Sequence, residues 1–296
     1  MAAEADRFEC ENRECVSQFP VVDGIPVLLN ARKSLFEPQD YVKGKHNYYK
    51  RDRSGLLEFL LAITPTISAN IKCKRNYRSL ARLLTESSTR PKVLVLGGAV
   101  EGQGLGELSS APSIDLLETD VSLGERTMAI VDSHCIPFKD NSFDCVVSQA
   151  VLEHVIDPYV TADEISRVVK EDGLVYAETA FMQQVHGGEF DFTRFSLRGH
   201  RRLFAQFEEI ESGAVCGTGM ALAWSYRAFL MSLTDSATLR RMARIFAGFT
   251  GFWLKYFDHL TIENQGTLEG ASGFYFLGRK SVRRLQDRDL IQSHGR

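Results

Sequence analysis

Five glycines fall within ten residues directly after the apolar run 93–96: Gly97, Gly98, Gly102, Gly104 and Gly106, in "VLVLGGAVEGQGLGEL". Glycine at such a turn permits positive φ and lacks a Cβ, so the backbone and a following helix N-terminus can approach a ligand closely. One strand-glycine-helix unit serves dinucleotides, phosphates and other adenosine ligands alike, so residues further along the chain must decide the ligand. Glu118 and Asp120 close the segment "LLETD", and an acid at the carboxyl edge of a strand can accept both hydroxyls of a ribose. Asp132 then precedes the apolar turn Ile136-Pro137-Phe138, an acid beside a hydrophobic step suited to the amino group and ring of adenine. These three features together favour an adenosine-containing ligand. Further along, His186, Glu189, Asp191, Arg194 and His200 are interspersed with Phe190, Phe192 and Phe195. A histidine in that setting titrates near neutrality, as a proton acceptor must.

Residues 93–96 show no alternation and are all apolar, which suits a strand buried on both faces of a parallel sheet. Strands are expected at 93–97, 114–118, 129–131, 144–149, 173–179, 207–212 and 274–280, with helices between them. That pattern predicts an α/β fold, a Rossmann-like seven-stranded, mostly parallel sheet with helices on both faces. Residues 33–90 read as a helical lead-in, 217–257 as an aromatic-rich helical insertion before the last strand, and 281–296 as a flexible, frayed tail.

Between about 90 and 212 the sequence resembles the class I S-adenosylmethionine-dependent methyltransferases, in "IPFKDNSFDCVVSQAVLEHVIDP" and "EISRVVKEDGLVYAETAF", in that order. The resemblance implies a methyltransferase domain over 91–280 and S-adenosyl-L-methionine as cofactor. It implies Gly97, Gly98, Gly102 and Gly104 along the methionine and ribose, and Asp120 on the ribose hydroxyls with Glu118 in reserve. Asp132 would lie at the adenine and Gln149 beneath the sulfonium. The glycine loop departs from the family's acid-x-Gly-x-Gly-x-Gly: Leu96 stands in the acid's place and the loop is longer, with Glu101 as a compensating charge. In the resembled family the loop after the fifth strand faces the acceptor, which makes His186 the candidate base. Asp191 and Arg194 are expected to form an ion pair that holds that loop. Ser142, Phe143 and Asp144 set a strand start, Leu152 is core, and Glu153 and His154 are expected to open a helix, with His154 packed and hydrogen-bonded.

The N-terminal stretch "CENRECVSQFPVVDGIPVLLN" resembles the second half of the zinc-ribbon-like modules of the tRNA-methyltransferase activator family. A structural zinc needs four ligands, commonly two close Cys pairs; here only Cys10 and Cys15 stand, widely spaced. Residues 1–32 are therefore expected to be a metal-free remnant whose "IPVLL" strand packs on the main domain.

With 296 residues, 44% of them hydrophobic, and a formal charge of −3, the chain is no generic polyanion binder, although Lys72, Lys74, Arg75, Arg78 and Arg82 make one basic helix. No nucleic-acid partner is expected. No run of 18 apolar residues exists and "MAAEADRFEC" lacks an apolar core, so a cytoplasmic protein is expected. Six scattered cysteines read as reduced thiols. The function expected is methyl transfer to a small-molecule or glycan acceptor at oxygen. The rival is a catalytically silent, cofactor-binding scaffold. A nicotinamide oxidoreductase would need a Tyr-x-x-x-Lys or similar pair after the fourth strand, and "QAVLEHVIDPYVTADEISR" has none. The aromatic helices would serve as core or as a homodimer face; alternatively Trp224, Tyr226, Phe229, Phe252 and Trp253 would line a lid for an apolar acceptor.

Overall fold

The computed structural model describes residues 7–10, 17–44 and 56–292. At its start, β1 (Arg7–Glu9), β2 (Gln18–Val22) and β3 (Ile25–Pro26) form a small antiparallel sheet. Asp23 and Gly24 turn β2 into β3 with φ of 53° and 79°, the doubly left-handed pattern that makes Asp-Gly a hairpin turn. Directly after it, Val27 bridges Ile130 in parallel and the Leu28 N–H donates to the Ile130 carbonyl at 2.9 Å. Val27 and Leu29 are buried with Tyr41 and Ile130, so the "IPVLL" segment does lie on the main domain. Cys10 is a free thiol; Cys15 lies outside the described residues.

The main sheet contains β4 (Lys92–Leu96), β5 (Asp115–Asp120), β6 (Ala129–Ile130), β7 (Phe143–Gln149), β8 (Val169–Ala180), β9 (Phe207–Cys216) and β10 (Gly273–Lys280). Their order is β6-β5-β4-β7-β8-β10-β9. β10 runs antiparallel to β8 and β9, while the pairs from β6 across to β8 are parallel. The strand order reverses between β4 and β7, and a ligand crevice opens outside the carboxyl ends of the strands at such a point.

The uniform apolarity of β4 follows from burial on both faces: Val93 and Val95 point into one core with Tyr77, Leu80, Val147 and Tyr176, Leu94 and Leu96 into the other with Val146, Ile165 and Phe276. α1 (Pro38–Val42), α2 (Leu56–Ile63), α3 (Cys73–Ser87) and α4 (Gly106–Ser109) belong to the first half. α3 buries Tyr77, Leu80 and Leu84, and its basic face is spent on ion pairs, Lys72 with Glu263, Arg75 with Glu211 and Arg78 with Glu107, at 2.7 to 3.0 Å.

α5 (Pro158–Val168) starts where Asp157 accepts the N–H groups of Tyr159 and Val160 and Pro158 takes the first turn. The helix thus begins after Glu153 and His154, which lie in a turn, contrary to the sequence expectation. The Asp-Pro pair carries the stronger start signal. α6 (Leu197–Leu203), α7 (Thr218–Ser232), α8 (Ala237–Gly251), α9 (Asp258–Thr261) and α10 (Thr267–Gly270) come next, extending the helical insertion beyond 257. The tail is not frayed as expected across its described part: α11 (Asp287–Gln292) is anchored by an Arg202–Asp287 ion pair at 3.0 Å, by the Leu285 N–H on the Ala205 carbonyl at 2.7 Å, and by buried Leu290.

Candidate active site

The turn after β4 is held from below. Gly97 has φ of 77°, and a Cβ there would fall 2.3 Å from a Val151 methyl; at Gly102 a Cβ would fall 1.8 Å from Gln149 Oε1. Gly97 is therefore demanded by backbone conformation and packing, whereas at Gly102 the obstacle is the flexible end of the Gln149 side chain. The ligand-facing resource of the loop is its backbone: the N–H groups of Glu101, Gly102 and Gln103 have no acceptor among the described residues. Gly98 donates to the Thr119 carbonyl at 2.9 Å, and Gly104, with φ of 88°, packs against Cys73 and Tyr77.

Asp120, at the end of β5, is 5% exposed and accepts the Ser122 N–H at 2.8 Å on one oxygen and the Ala99 N–H at 3.2 Å on the other. It thereby pins the glycine loop to the neighbouring turn. A carboxylate offers about four acceptor positions, so two remain for a pair of hydroxyls. Burial raises its pKa, against the pull of those N–H groups. Glu118, the reserve residue, is engaged by a two-pronged Arg126 at 2.7 and 2.9 Å.

Asp132 departs from its expected role. One oxygen takes the Ser34 hydroxyl at 2.7 Å and the Leu35 N–H at 3.1 Å; the other takes the His134 N–H at 2.9 Å and its Nδ1 at 2.8 Å. Burial raises this carboxyl, but the His134 and Ser34 hydrogen bonds outweigh it and leave the pKa below the ordinary value. With four partners its acceptor positions are filled, so Asp132 fastens the strap 34–35 to the sheet and has none left for an adenine amino group.

Gln149, at the end of β7, joins three elements: Nε2 donates to the Gln103 carbonyl at 3.0 Å and to Glu178 at 2.8 Å, and Oε1 accepts from the Tyr77 hydroxyl at 3.3 Å. Glu178 on β8 is buried, and its carboxylate also takes Asn70 Nδ2 at 2.7 Å and the Tyr176 hydroxyl. Burial pushes its pKa up, opposed by those three donors. Sequence reading missed Glu178 and Asn70. A lone acid inside the apolar strand "LVYAETA" was the available signal.

On the other side of β7, the fold brings Glu153, His154 and His186 together, with a carboxylate oxygen and two ring nitrogens within 4.8 Å of one another. Bonds of ~2.1 Å to a tetrahedral metal would place ligand atoms ~3.4 Å apart, and His186 Nε2 stands 3.9 Å from Glu153 Oε1. That spacing is wider than a tetrahedral metal shell takes. His186 Nδ1 lies 3.0 Å from the Gln184 carbonyl, which can only accept, so in the neutral ring the proton sits on Nδ1 and the Nε2 lone pair is free. Burial lowers the His186 pKa, keeping the ring neutral at pH 7. Its edge meets Trp224, with centroids 5.8 Å apart. Glu153 is 1% exposed, one of its oxygens has no partner among the described residues, and burial raises its pKa to about 7. His154 Nδ1 is bonded to the Phe190 carbonyl at 2.8 Å. Asp191 and Arg194 pair at 2.7 Å, and Asp191 also takes the N–H groups of His186 and Gly187 at 2.8 and 3.0 Å. Beside this cluster a cavity of about 730 Å³ opens between the loop after β8 and the α7–α8 hairpin.

Residues 110–177 match the family model of a methyltransferase domain. That stretch runs from β5 into β8 and is similar to a methyltransferase domain. The loop N–H groups and the spare acceptor positions of Asp120 fit the polar ends of S-adenosylmethionine. No curated relative matches the sequence. Among solved structures, the Haemonchus contortus phosphoethanolamine N-methyltransferase 2, in complex with phosphomonomethylethanolamine and S-adenosylhomocysteine, is similar at 14% identity and a TM-score of 0.45, over 70% of this chain and 52% of that one. Coclaurine N-methyltransferase bound to N-methylheliamine and S-adenosylhomocysteine is similar at 13% identity and a TM-score of 0.44, over 79% and 74%. The YcgJ protein of Bacillus subtilis is similar at 15% identity and a TM-score of 0.40, over 70% and 98%.

The main sheet thus has two faces at one edge. Its glycine loop, Asp120 and Gln149 lie at the ends of β4, β5 and β7, while Glu153, His186 and Trp224 lie beyond β7. Of the aromatic insertion, Trp224 is core, buried with Ile67 and Met220, whereas Phe229 and Trp253 are 61% and 48% exposed. Among the described residues no helix is long and apolar enough to cross a membrane.

Proposed function

We propose that the protein transfers a methyl group to an oxygen of a small-molecule or glycan acceptor, with His186 as general base. The observation that carries this reading is the free Nε2 lone pair of a neutral histidine, its side chain 22% exposed, beside the cavity between the loop after β8 and the α7–α8 hairpin. S-adenosylmethionine supplies a methyl group on a sulfonium, an excellent leaving group, so the protein's part is alignment, desolvation and removal of the acceptor's proton. The loop after β8 is stiffened for this by Asp191, which holds the His186 and Gly187 N–H groups and the Arg194 guanidinium together. His186 takes the hydroxyl proton on Nε2. Glu153, 3.9 Å away and close to half-ionised at neutral pH, stabilises the imidazolium so formed. The reading includes a homodimer through the uncovered aromatic face of α7 and α8, where Phe229, Phe246 and Phe249 are exposed. The test is transfer of a labelled methyl group from S-adenosylmethionine across a panel of hydroxyl-bearing acceptors. Turnover that is lost in His186→Asn supports the reading. Binding of the cofactor with no transfer to any hydroxyl, amine or glycan would leave the scaffold alternative in place.

A further inference from the structure

The cavity of about 730 Å³ gathers Arg194, Arg227, Arg240 and Arg244 against only two carboxylates, Asp191 and Asp235. Arg194 is neutralised by Asp191 at 2.7 Å. Among the described residues no carboxylate or carbonyl accepts from the guanidinium of Arg227, Arg240 or Arg244. Arg227 is half-buried and stacks over Trp224, its central carbon 4.0 Å from the ring centroid. Three cations collected around one cavity repel one another, and a half-buried one has also given up solvation. Burial first, and then Arg244, pull the Arg227 pKa down to about 10. An anion bridging the three groups would relieve both penalties, and planar guanidinium forks match phosphate and carboxylate oxygens two at a time.

We propose that this cavity is the acceptor's anchoring subsite, in which Arg227, Arg240 and Arg244 grip an oxyanion, a phosphate or carboxylate group carried by the methyl acceptor. The assignment rests on the methyl-transfer reading for its purpose. Its geometry follows from Trp224: one contact of the indole is the Arg227 guanidinium, another is the His186 ring. The indole therefore sets the spacing between anchored anion and reacting hydroxyl. Gln183, Gln184 and Thr193 supply further polar groups along the same wall.

The experiment titrates the full-length chain with phenyl phosphate and, separately, benzoate, following tryptophan emission and heat, with S-adenosylhomocysteine titrated in parallel. The expected result is saturable binding of at least one probe, weakened by salt, with a change in Trp224 emission. The double variant Arg227→Gln/Arg244→Gln should lose at least about tenfold in affinity for the probe, while Arg82→Gln, on the remote face of α3, should lose none. Unchanged S-adenosylhomocysteine affinity in the double variant shows that the fold and the cofactor face are intact. The tighter of the two probes names the anion. The subsite is refuted if wild type and double variant bind both probes equally, or if neither probe binds, and that outcome leaves the methyl-transfer reading untouched. Failure of S-adenosylhomocysteine to bind, with the phosphate still held by the arginines, would refute that reading and keep the anion site.

Discussion

Replacing Glu153 by glutamine should make the protein's stability less dependent on pH, with a size set by the burial of that carboxyl. Its pKa rises from an ordinary 4.5 to about 7 in the folded state. A carboxyl shifted upward contributes its full stability below pH 4.5, where it is protonated folded and unfolded, and loses it as pH rises to about 7. The difference of roughly 2.5 pKa units corresponds to about 3 kcal/mol of folding free energy forfeited at pH 8. An amide cannot ionise, so Glu153→Gln escapes this loss. The glutamine N–H groups would meet a site where one oxygen has no partner now, at a cost of about 1 to 3 kcal/mol that does not vary with pH. The quantity to follow is therefore the difference between variant and wild type, measured by thermal melting from pH 4.5 to 8. It should move in the variant's favour by about 3 kcal/mol, or roughly 5 °C for a chain of this size. A difference that stays constant across the range would show that Glu153 is ionised throughout, and would overturn its proposed part beside His186.

Asp120→Ala should weaken S-adenosylhomocysteine binding by about ten- to a hundredfold in calorimetry, since it removes a charged acceptor and frees the Ala99 N–H that pins the loop. His186→Asn should keep cofactor affinity within about twofold and lower transfer by about 10² to 10⁴. In the wild type the acid limb of the rate profile should fall below pH 6.5, because burial lowers that histidine and protonation removes its lone pair. Gly102→Ala places a methyl 1.8 Å from Gln149 Oε1, so it should break the Gln149 tie to Gln103 and reduce both the melting temperature and cofactor affinity; a neutral result would mean the loop relaxes freely.

The central strands were legible because each carries an apolar run too long to face water on either side, and the structure places all seven within a few residues of their expected positions. β8 begins earlier than expected, at Val169, and β9 runs on to Cys216. Asp23-Gly24 shows its hairpin by composition alone. Asp120 and Gln149 stand where the strand pattern puts them, at the carboxyl ends of strands flanking the glycine turn. Asp132 was misread because its partners, Ser34 and Leu35, stand almost a hundred residues away and no local pattern announces that strap. The glycines illustrate a subtler limit. Spacing identified the loop, but what forbids a side chain at Gly97 is Val151, a contact made only when β4 and β7 lie side by side. Glu178 and Asn70 likewise meet through the sheet, and the arginines of the cavity sit on both sides of a hairpin and a loop, so their convergence is a property of the folded chain.

Calorimetric titration of the purified protein with S-adenosylhomocysteine, with NAD as the control ligand, bears most directly on the cofactor face built by the glycine loop and Asp120. Micromolar binding of S-adenosylhomocysteine that is weakened in Asp120→Ala, with no binding of NAD, is the expected result. Binding of NAD in its place, or of neither ligand, would contradict it.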